Sequence, residues 1–149
     1  MQAGSQALAL AREARHLRTE ADSILGLSLT HMRLGQPDEA RRHAEQALSL
    51  ARDHSFGVVE GQALTAMCEL AESEAAYATA VVLGEEALAI HRRTGHRLGE
   101  ARTLVALSRT LQKTDGAAAG IMRQQASDIF SDVGVPAEGC EDLVTSVDP

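Results

Sequence analysis

A forty-residue repeat is the feature of this sequence that most restricts its fold. When the chain is written in rows of forty, the same residue types fall in the same columns. These columns include Glu20/Glu60/Glu100, Ile24/Leu64/Leu104, Leu27/Met67/Leu107 and Ser28/Cys68/Ser108. The stretch ALALAR at 7–12 likewise precedes ALSLAR at 47–52 by forty residues, while the third unit is one residue shorter. Repetition at this period predicts copies of one supersecondary unit stacked along an axis.

Each unit contains two stripes of apolar residues with helical spacing. In the first unit the stripes are Ala21, Ile24, Leu27 and Leu34, then Ala40, Ala44, Ala47, Leu48 and Ala51. The intervals of three and four residues are typical of amphipathic helices. The stretches LGQPDEA, RRTGHR and KTDGAAAG interrupt the pattern with the glycine and proline that end and begin helices. Each unit is therefore predicted to be an antiparallel pair of helices of about fifteen residues, ~22 Å long.

The repeat also predicts where the units begin and end. Repeat 1 is expected over 19–55, repeat 2 over 58–95 and repeat 3 over 97–134. Residues 3–17 match only the second helix of a preceding unit, and 136–149 are expected to be a cap or the start of a further unit. The chain is thus interpreted as a fragment of a longer array. A lone helix over 3–17 would expose its apolar stripe, so a homodimer through the N-terminal helix is expected.

The recurring columns have a packing explanation. A two-helix unit cannot bury its apolar stripe alone, so the same contact must form again in every unit. The leucine-type columns are expected to fill the space between helices. The small column of Ser28, Cys68 and Ser108, with Ala80, is expected where helix axes cross ~8–10 Å apart.

The stretch LGLSLTHMRLGQPDEARRHAEQALSL resembles a tetratricopeptide repeat. The resemblance rests on Leu27, Ser28 and Gly35, on Ala40, and on the pair Ala47-Leu48. The departures are aliphatic residues or histidine at the usual aromatic positions, no closing proline, and a period longer than the common ~34 residues. This resemblance implies an all-α, right-handed superhelical solenoid. The phrase HRRTGHRLGEARTL is similar to the C-terminal arrays of actinobacterial transcriptional regulators of the Streptomyces antibiotic regulatory protein type.

Composition and charge narrow the possible functions. The formal net charge is −7 and only one lysine is present, which argues against a face that binds nucleic acid directly. The N-terminus lacks the pattern of a secretory signal, and no apolar run is long enough to span a membrane. Cys68 and Cys140 stand far apart without metal-type spacing, so two free thiols and a cytoplasmic location are expected.

The sequence offers little that predicts catalysis or metal binding. His91 and His96 are five residues apart with Gly95 between them, and the other histidines do not share a column of the repeat. Neighbouring carboxylates such as Glu85 and Glu86 point apart on a helix. There is also no glycine-rich phosphate loop and no nucleophile motif. The chain is therefore predicted not to be an enzyme and to hold no metal and no cofactor.

The tetratricopeptide resemblance implies that the first helix of each unit lines a concave groove. The positions carried over are Asp22, Leu25, Leu29, Met32 and Arg33; Gln62, Thr65, Glu69 and Glu72; and Arg102, Val105, Arg109, Gln112 and Lys113. In that order the groove runs from apolar through acidic to basic, with Leu25, Leu29 and Met32 expected to be exposed. The alternative is that Glu69 and Arg109 only pair with each other.

The groove suggests a protein-interaction or regulatory module that binds a peptide, a partner helix or another domain. Two alternatives remain open at this point. One is a module that senses a small effector within a bacterial transcriptional regulator of the type named above, and the other is a stand-alone scaffold that oligomerises.

Overall fold

The computed structural model describes the backbone of residues 2–135 of the 149-residue chain and the side chains of residues 4–135. The predicted cap at 136–149, including Cys140, lies outside the described residues. Six α-helices make up the fold, and residues 2–135 contain no strand. The helices are α1 Gln2–Arg33, α2 Pro37–Asp53, α3 Gly57–Ser73, α4 Tyr77–Thr94, α5 Arg97–Leu111 and α6 Gly116–Asp132. None of these helices is both long enough and apolar enough to cross a bilayer.

The helices pack as three successive antiparallel hairpins, α1/α2, α3/α4 and α5/α6. Each hairpin joins the next through its second helix, since α2 packs on α3 and α4 packs on α5. The first helices also meet directly, α1 with α3 and α3 with α5. The expected all-α helical-repeat solenoid is thus confirmed, with α1, α3 and α5 forming one layer of it.

Short turns with left-handed residues separate the helices. Gly35, Ser55, Ala75 and Gly95 have φ values of 67°, 59°, 59° and 71°, so a residue in this conformation recurs every twenty positions. After the first turn, α2 starts with Pro37 and has two acidic residues in its first turn, where the helix dipole favours them. The third hairpin turns differently, and the Asp115 side chain caps α6 by accepting from the Ala118 N–H at 3.0 Å.

The repeated columns form the core. Ile24, Leu64 and Leu104 are 9%, 1% and 1% exposed, as expected for the layer between helices. In the small column Ser28 and Cys68 are fully buried, and the Ser28 hydroxyl donates to the Ala40 carbonyl at 2.7 Å. A larger side chain in this column would therefore collide with the neighbouring helix.

The N-terminal helix differs from the expectation. No break separates 3–17 from the first helix of repeat 1, because α1 is one helix of 32 residues. Leu27 and Leu34 were expected in the buried stripe, yet they are 48% and 64% exposed. Within residues 2–135, no preceding second helix lies against Leu27 as α4 lies against its equivalent Leu107, and Leu34 lies in the turn after α1.

Candidate functional site

A cleft lies on the layer formed by the first helices of the three hairpins. It encloses about 470 Å³, including the space at its open mouth. Its walls come from α1, α3 and α5, and its floor includes His91 near the end of α4. Among the predicted groove residues, it brings together Leu25, Leu29, Gln62, Thr65, Glu69 and Arg102.

One end of the cleft is apolar. Leu25 and Leu29 of α1 face Leu98 of α5, which is 43% exposed. The expectation that Leu25 would be exposed is wrong, because it is only 6% exposed and belongs to the core cluster that α1 shares with α3. Leu29 and Met32 are half-buried against the same cluster. The apolar wall is therefore built on the core, which fixes its shape.

The other end of the cleft is charged. Glu69 and Arg102 line both this cleft and a smaller adjoining one that also contains Val105 and Arg109. Burial raises the pKa of the Glu69 carboxyl, while the nearby Arg102 and Arg109 act in the opposite direction. Within residues 2–135, Arg102 has no hydrogen bond and no ion pair within 4 Å. A half-buried guanidinium in this position can accept a carboxylate from a ligand.

Acidic and basic groups of neighbouring first helices are interleaved. Arg109 of α5 lies with its Nε 3.5 Å from Glu72 Oε1 of α3, within ion-pair distance. Across the layer of first helices, α3 supplies the acidic groups and α5 the basic groups. This pairing leaves Arg102 as the cation that faces the apolar end.

A chain of polar groups forms the floor of the cleft. His96 Nδ1 lies 3.3 Å from His91 Nδ1, His91 Nε2 lies 3.0 Å from Thr65 Oγ1, and Thr65 Oγ1 lies 2.8 Å from Thr103 Oγ1. Thr103 in turn donates to the Gly99 carbonyl at 2.7 Å. One assignment uses each proton once: His96 donates to His91, His91 to Thr65, and Thr65 to Thr103, while the Gly61 carbonyl, 2.9 Å from Thr65 Oγ1, offers the Thr65 hydroxyl a second acceptor. This chain joins α3, α4 and α5.

His91 is fully buried and is held in a space shaped by two glycines. A Cβ added at Gly61 or Gly99 would lie 2.8 Å or 2.4 Å from His91 Cε1, so both positions must lack a side chain. Burial lowers the pKa of His91 to about 4, and the neighbouring His96 acts in the same direction. The ring is therefore neutral near pH 7, as the hydrogen-bond assignment requires.

Several predicted groove residues lie outside the cleft. Asp22 and Arg33 are exposed on α1, and Met32 packs on the core cluster. Gln112 accepts from Arg123 of α6 at 2.6 Å, and Lys113 donates to Tyr77 Oη at 3.2 Å. The cause is the shorter third unit, because α5 ends at Leu111 and the following turn carries these two residues toward the second helices.

The structure also gathers three potential metal ligands that the sequence did not predict. His31, Glu39 and His43 have ligand atoms within 4.8 Å of one another, beside the α1–α2 turn. The two rings are stacked, with centroids 5.2 Å apart and planes 10° apart, so their lone pairs do not converge. Glu39 Oε2 lies 2.5 Å from an Arg42 nitrogen, and His31 Nδ1 lies 2.6 Å from Gln36 Oε1. As placed, these contacts stabilise the turn and do not form a coordination sphere, which for zinc has ligand atoms ~3.3 Å apart.

Sequence reasoning missed five residues that line the cleft: Ala66, His91, His96, Leu98 and Gly99. His91 carried a usable signal, since the same column holds Ala51 in the preceding unit. A histidine in an otherwise apolar column indicates a buried polar contact. His91 and His96 are five residues apart in sequence, yet the left-handed Gly95 between them reverses the chain and brings their ring centroids to 5.2 Å.

The hairpin stack and its cleft define an all-α helical-repeat domain that is similar to tetratricopeptide repeats. In agreement, residues 21–54 match the family model described as "Tetratricopeptide repeat". These residues cover most of α1/α2, from Ala21 to the turn after α2. No curated protein and no solved structure matches the chain. Tetratricopeptide repeats are in general non-catalytic modules that mediate protein–protein interaction.

Proposed function

We propose that the cleft between α1, α3 and α5 binds a short segment of a partner protein. The segment would place an apolar side chain against Leu25, Leu29 and Leu98 and a carboxylate on Arg102. The observation that carries this proposal is the position of Arg102, which is half-buried beside an apolar wall and without an ion pair in the described chain. Apolar surface supplies affinity in such a site, and the single cation supplies orientation.

A charge reversal tests this proposal. Peptides selected from a random phage library on the purified protein are measured by isothermal titration calorimetry against the wild type and Arg102→Glu. We expect the selected peptides to combine an apolar residue with an acidic residue or a free C-terminus. Arg102→Glu should weaken their binding at least about tenfold, because losing a charge-assisted hydrogen bond costs ~1.5–3 kcal/mol.

Arg93→Glu is the matched control, since Arg93 lies in the last turn of α4 and does not line the cleft. Circular dichroism should show equal helicity for all three proteins. Equal binding of the peptides to wild type and Arg102→Glu would refute the proposal. A metabolite that raises the melting temperature without any peptide, and loses this effect in Arg102→Glu, would instead favour the sensor of a small effector.

The groove would work within a larger regulator. The support for this part of the proposal is the resemblance of HRRTGHRLGEARTL to arrays in actinobacterial transcriptional regulators. In that setting the bound segment could belong to another domain of the same polypeptide. The complete open reading frame tests this directly, because a regulator would encode DNA-binding and nucleotide-binding domains beside the repeat.

Self-association is a second candidate function, and α1 favours it. Leu8, Leu10 and Leu27 are 52%, 65% and 48% exposed on this one helix. Light scattering over a concentration series should show the mass rising from monomer to dimer. Leu8→Asp should shift the equilibrium toward monomer, while Leu34→Asp should not, although Leu34 is 64% exposed. A mass that stays monomeric at all concentrations would refute self-association and leave the cleft proposal unaffected.

A further inference from the structure

The first half of α1 has the residues of a second helix of the repeat. Gly4, Ala7, Leu8 and Ala11 fall in the columns of Ala44, Ala47, Leu48 and Ala51. Those residues of α2 are all buried, at 0%, 0%, 7% and 0% exposure. In α1 the four matching positions are exposed. This segment, residues 4–14, therefore carries an apolar stripe on which no helix of residues 2–135 packs.

The second half of α1 has an apolar residue, Leu27, that is left uncovered. Between the second and third units, Leu107 of α5 packs on Gly84 of α4, where an added Cβ would lie 2.8 Å from Leu107 Cγ. Two periods earlier, the same columns hold Gly4 and Leu27. Leu107 is fully buried, whereas Leu27 is 48% exposed. Within the continuous α1, Gly4 lies ~35 Å from Leu27 along the axis, so it cannot cover that residue.

Two columns of the repeat that form ion pairs also point to a missing neighbour of α1. Arg52 Nε lies 3.3 Å from Glu60 Oε1, and Arg92 Nε lies 3.2 Å from Glu100 Oε1. Both pairs cross a turn between a second helix and the next first helix. The same columns in α1 hold Arg12 and Glu20. Eight residues on one helix are ~12 Å apart along its axis, so these two side chains cannot pair with each other.

The column of the repeat that holds the left-handed turn residues, called the turn column here, explains why α1 stays straight. Left-handed residues recur at 35, 55, 75 and 95, and the next earlier position is Arg15. Any residue other than glycine is strained in this conformation. At Ser55 and Ala75, the packing of helices on both sides offsets that strain. At Arg15 it is not offset, because within residues 2–135 no helix packs on the segment before it.

We infer that the α1 helices of two copies of this chain pair antiparallel about a two-fold axis between residues 15 and 16. Segment 4–14 of each copy then covers Leu27 of the other. The register follows from the solenoid itself, since Gly84 and Leu107 lie eleven residues to either side of the 95/96 turn. Gly4 and Leu27 lie eleven residues to either side of the bond 15–16. If a hairpin straightens into one helix, two copies can restore its contacts by exchanging the same segment, here residues 4–14.

This inference rests on the proposed self-association and specifies its geometry. The test is disulfide cross-linking of the full chain in a Cys140→Ser background, with Cys68 kept because it is fully buried. An affinity-tagged Gly4→Cys protein is mixed with an untagged Leu27→Cys protein and oxidised. We expect a covalent heterodimer on non-reducing gels. The control mixes Glu13→Cys with Leu27→Cys, which the register places ~13 Å apart along the helix, and should give none.

The outcomes separate the inference from its premise. A monomeric mass at all concentrations refutes self-association and the inference together. A dimer that cross-links through Glu13→Cys, or not at all, refutes the register alone. An intramolecular disulfide in a Gly4→Cys/Leu27→Cys double variant shows that α1 folds back on itself, which also overturns the inference.

Arg15→Gly provides an independent readout of the hinge. Glycine adopts the left-handed conformation freely, as Gly95 does, so this variant should favour the folded-back monomer. We expect its dimer dissociation constant to rise about tenfold, which corresponds to relief of the left-handed strain. The control is Arg18→Gly, which places glycine in the same helix outside the turn column. An Arg15→Gly dimer no weaker than the Arg18→Gly dimer would contradict the role of residue 15.

Discussion

The buried His91 makes the stability of the fold depend on pH. Its folded-state pKa is lowered to about 4, mainly by burial, from the usual 6.5. The folded state therefore binds its proton more weakly than the unfolded state does. The contribution of a neutral His91 to stability is fully present above about pH 6.5 and is lost as the pH falls toward 4.

The size of the effect follows from the two pKa values. Linkage gives a loss in the free energy of unfolding of about 2 kcal/mol between about pH 7.5 and pH 5. The loss approaches ~3 kcal/mol near pH 4, because each pKa unit corresponds to ~1.4 kcal/mol. His96, whose pKa is also lowered by burial, acts in the same direction. Glu69 acts in the opposite direction, since burial raises its pKa and its folded form gains a proton more readily.

Urea unfolding followed by circular dichroism at several pH values measures this dependence. The comparison is between wild type and His91→Gln, which keeps a donor for Thr65 but does not titrate. Subtracting the two profiles removes the contributions of His96 and Glu69 to first order. The control is His16→Gln, an exposed histidine on α1, which should follow the wild type. Parallel profiles for wild type and His91→Gln would refute the assignment of the pH dependence to His91.

Three further predictions concern packing and thiol chemistry. Gly84→Ala should lower the free energy of unfolding by ~1–3 kcal/mol, because the new Cβ would lie 2.5 Å from Leu107 Cδ2. Gly120→Ala is the control: a Cβ there would have nothing within 4 Å, so this variant should raise the free energy of unfolding by ~0.5–1 kcal/mol. Ala80→Leu should cost ~1–3 kcal/mol in the same urea assay, because Ala80 is fully buried in the small column, and an unchanged midpoint would contradict the crossing-point assignment. In a Cys140→Ser background, Cys68 should react with Ellman's reagent only after unfolding, since burial raises its thiol pKa to about 12; rapid reaction of the native protein would be inconsistent with this.

The repeat columns predicted the core well, because packing is solved in the same way in each unit. Leu64 and Leu104 are buried to the same 1%, and Ser108 is 2% exposed in the small column. The errors arose where a unit lacks the neighbour that the column assumes. Leu27 is exposed because no helix of residues 2–135 lies against it as α4 lies against Leu107, and Leu25 is buried because α3 packs directly on α1.

The charged part of the cleft was predicted in its members but not in its pairing. The columns placed Glu69 and Arg109 on facing helices, and Arg109 Nε lies 3.5 Å from Oε1 of Glu72, one turn further along α3. One helical turn decides which side chains meet, and sequence spacing does not resolve which rotamer each takes. His91 was missed for a different reason. Its contacts with Thr65 and Thr103 depend on three helices, so no local pattern contains them.

The chain of hydrogen bonds through His91 gives the stack unequal stiffness. It ties the second hairpin to the third, whereas the first and second hairpins meet near the cleft mainly through the aliphatic side chains of Leu25 and Leu29. Aliphatic contacts tolerate small sliding movements, while directional bonds resist them. Bending of the array should therefore concentrate between the first two hairpins, so the leucine wall can adjust its distance to an occupant while Arg102 stays fixed.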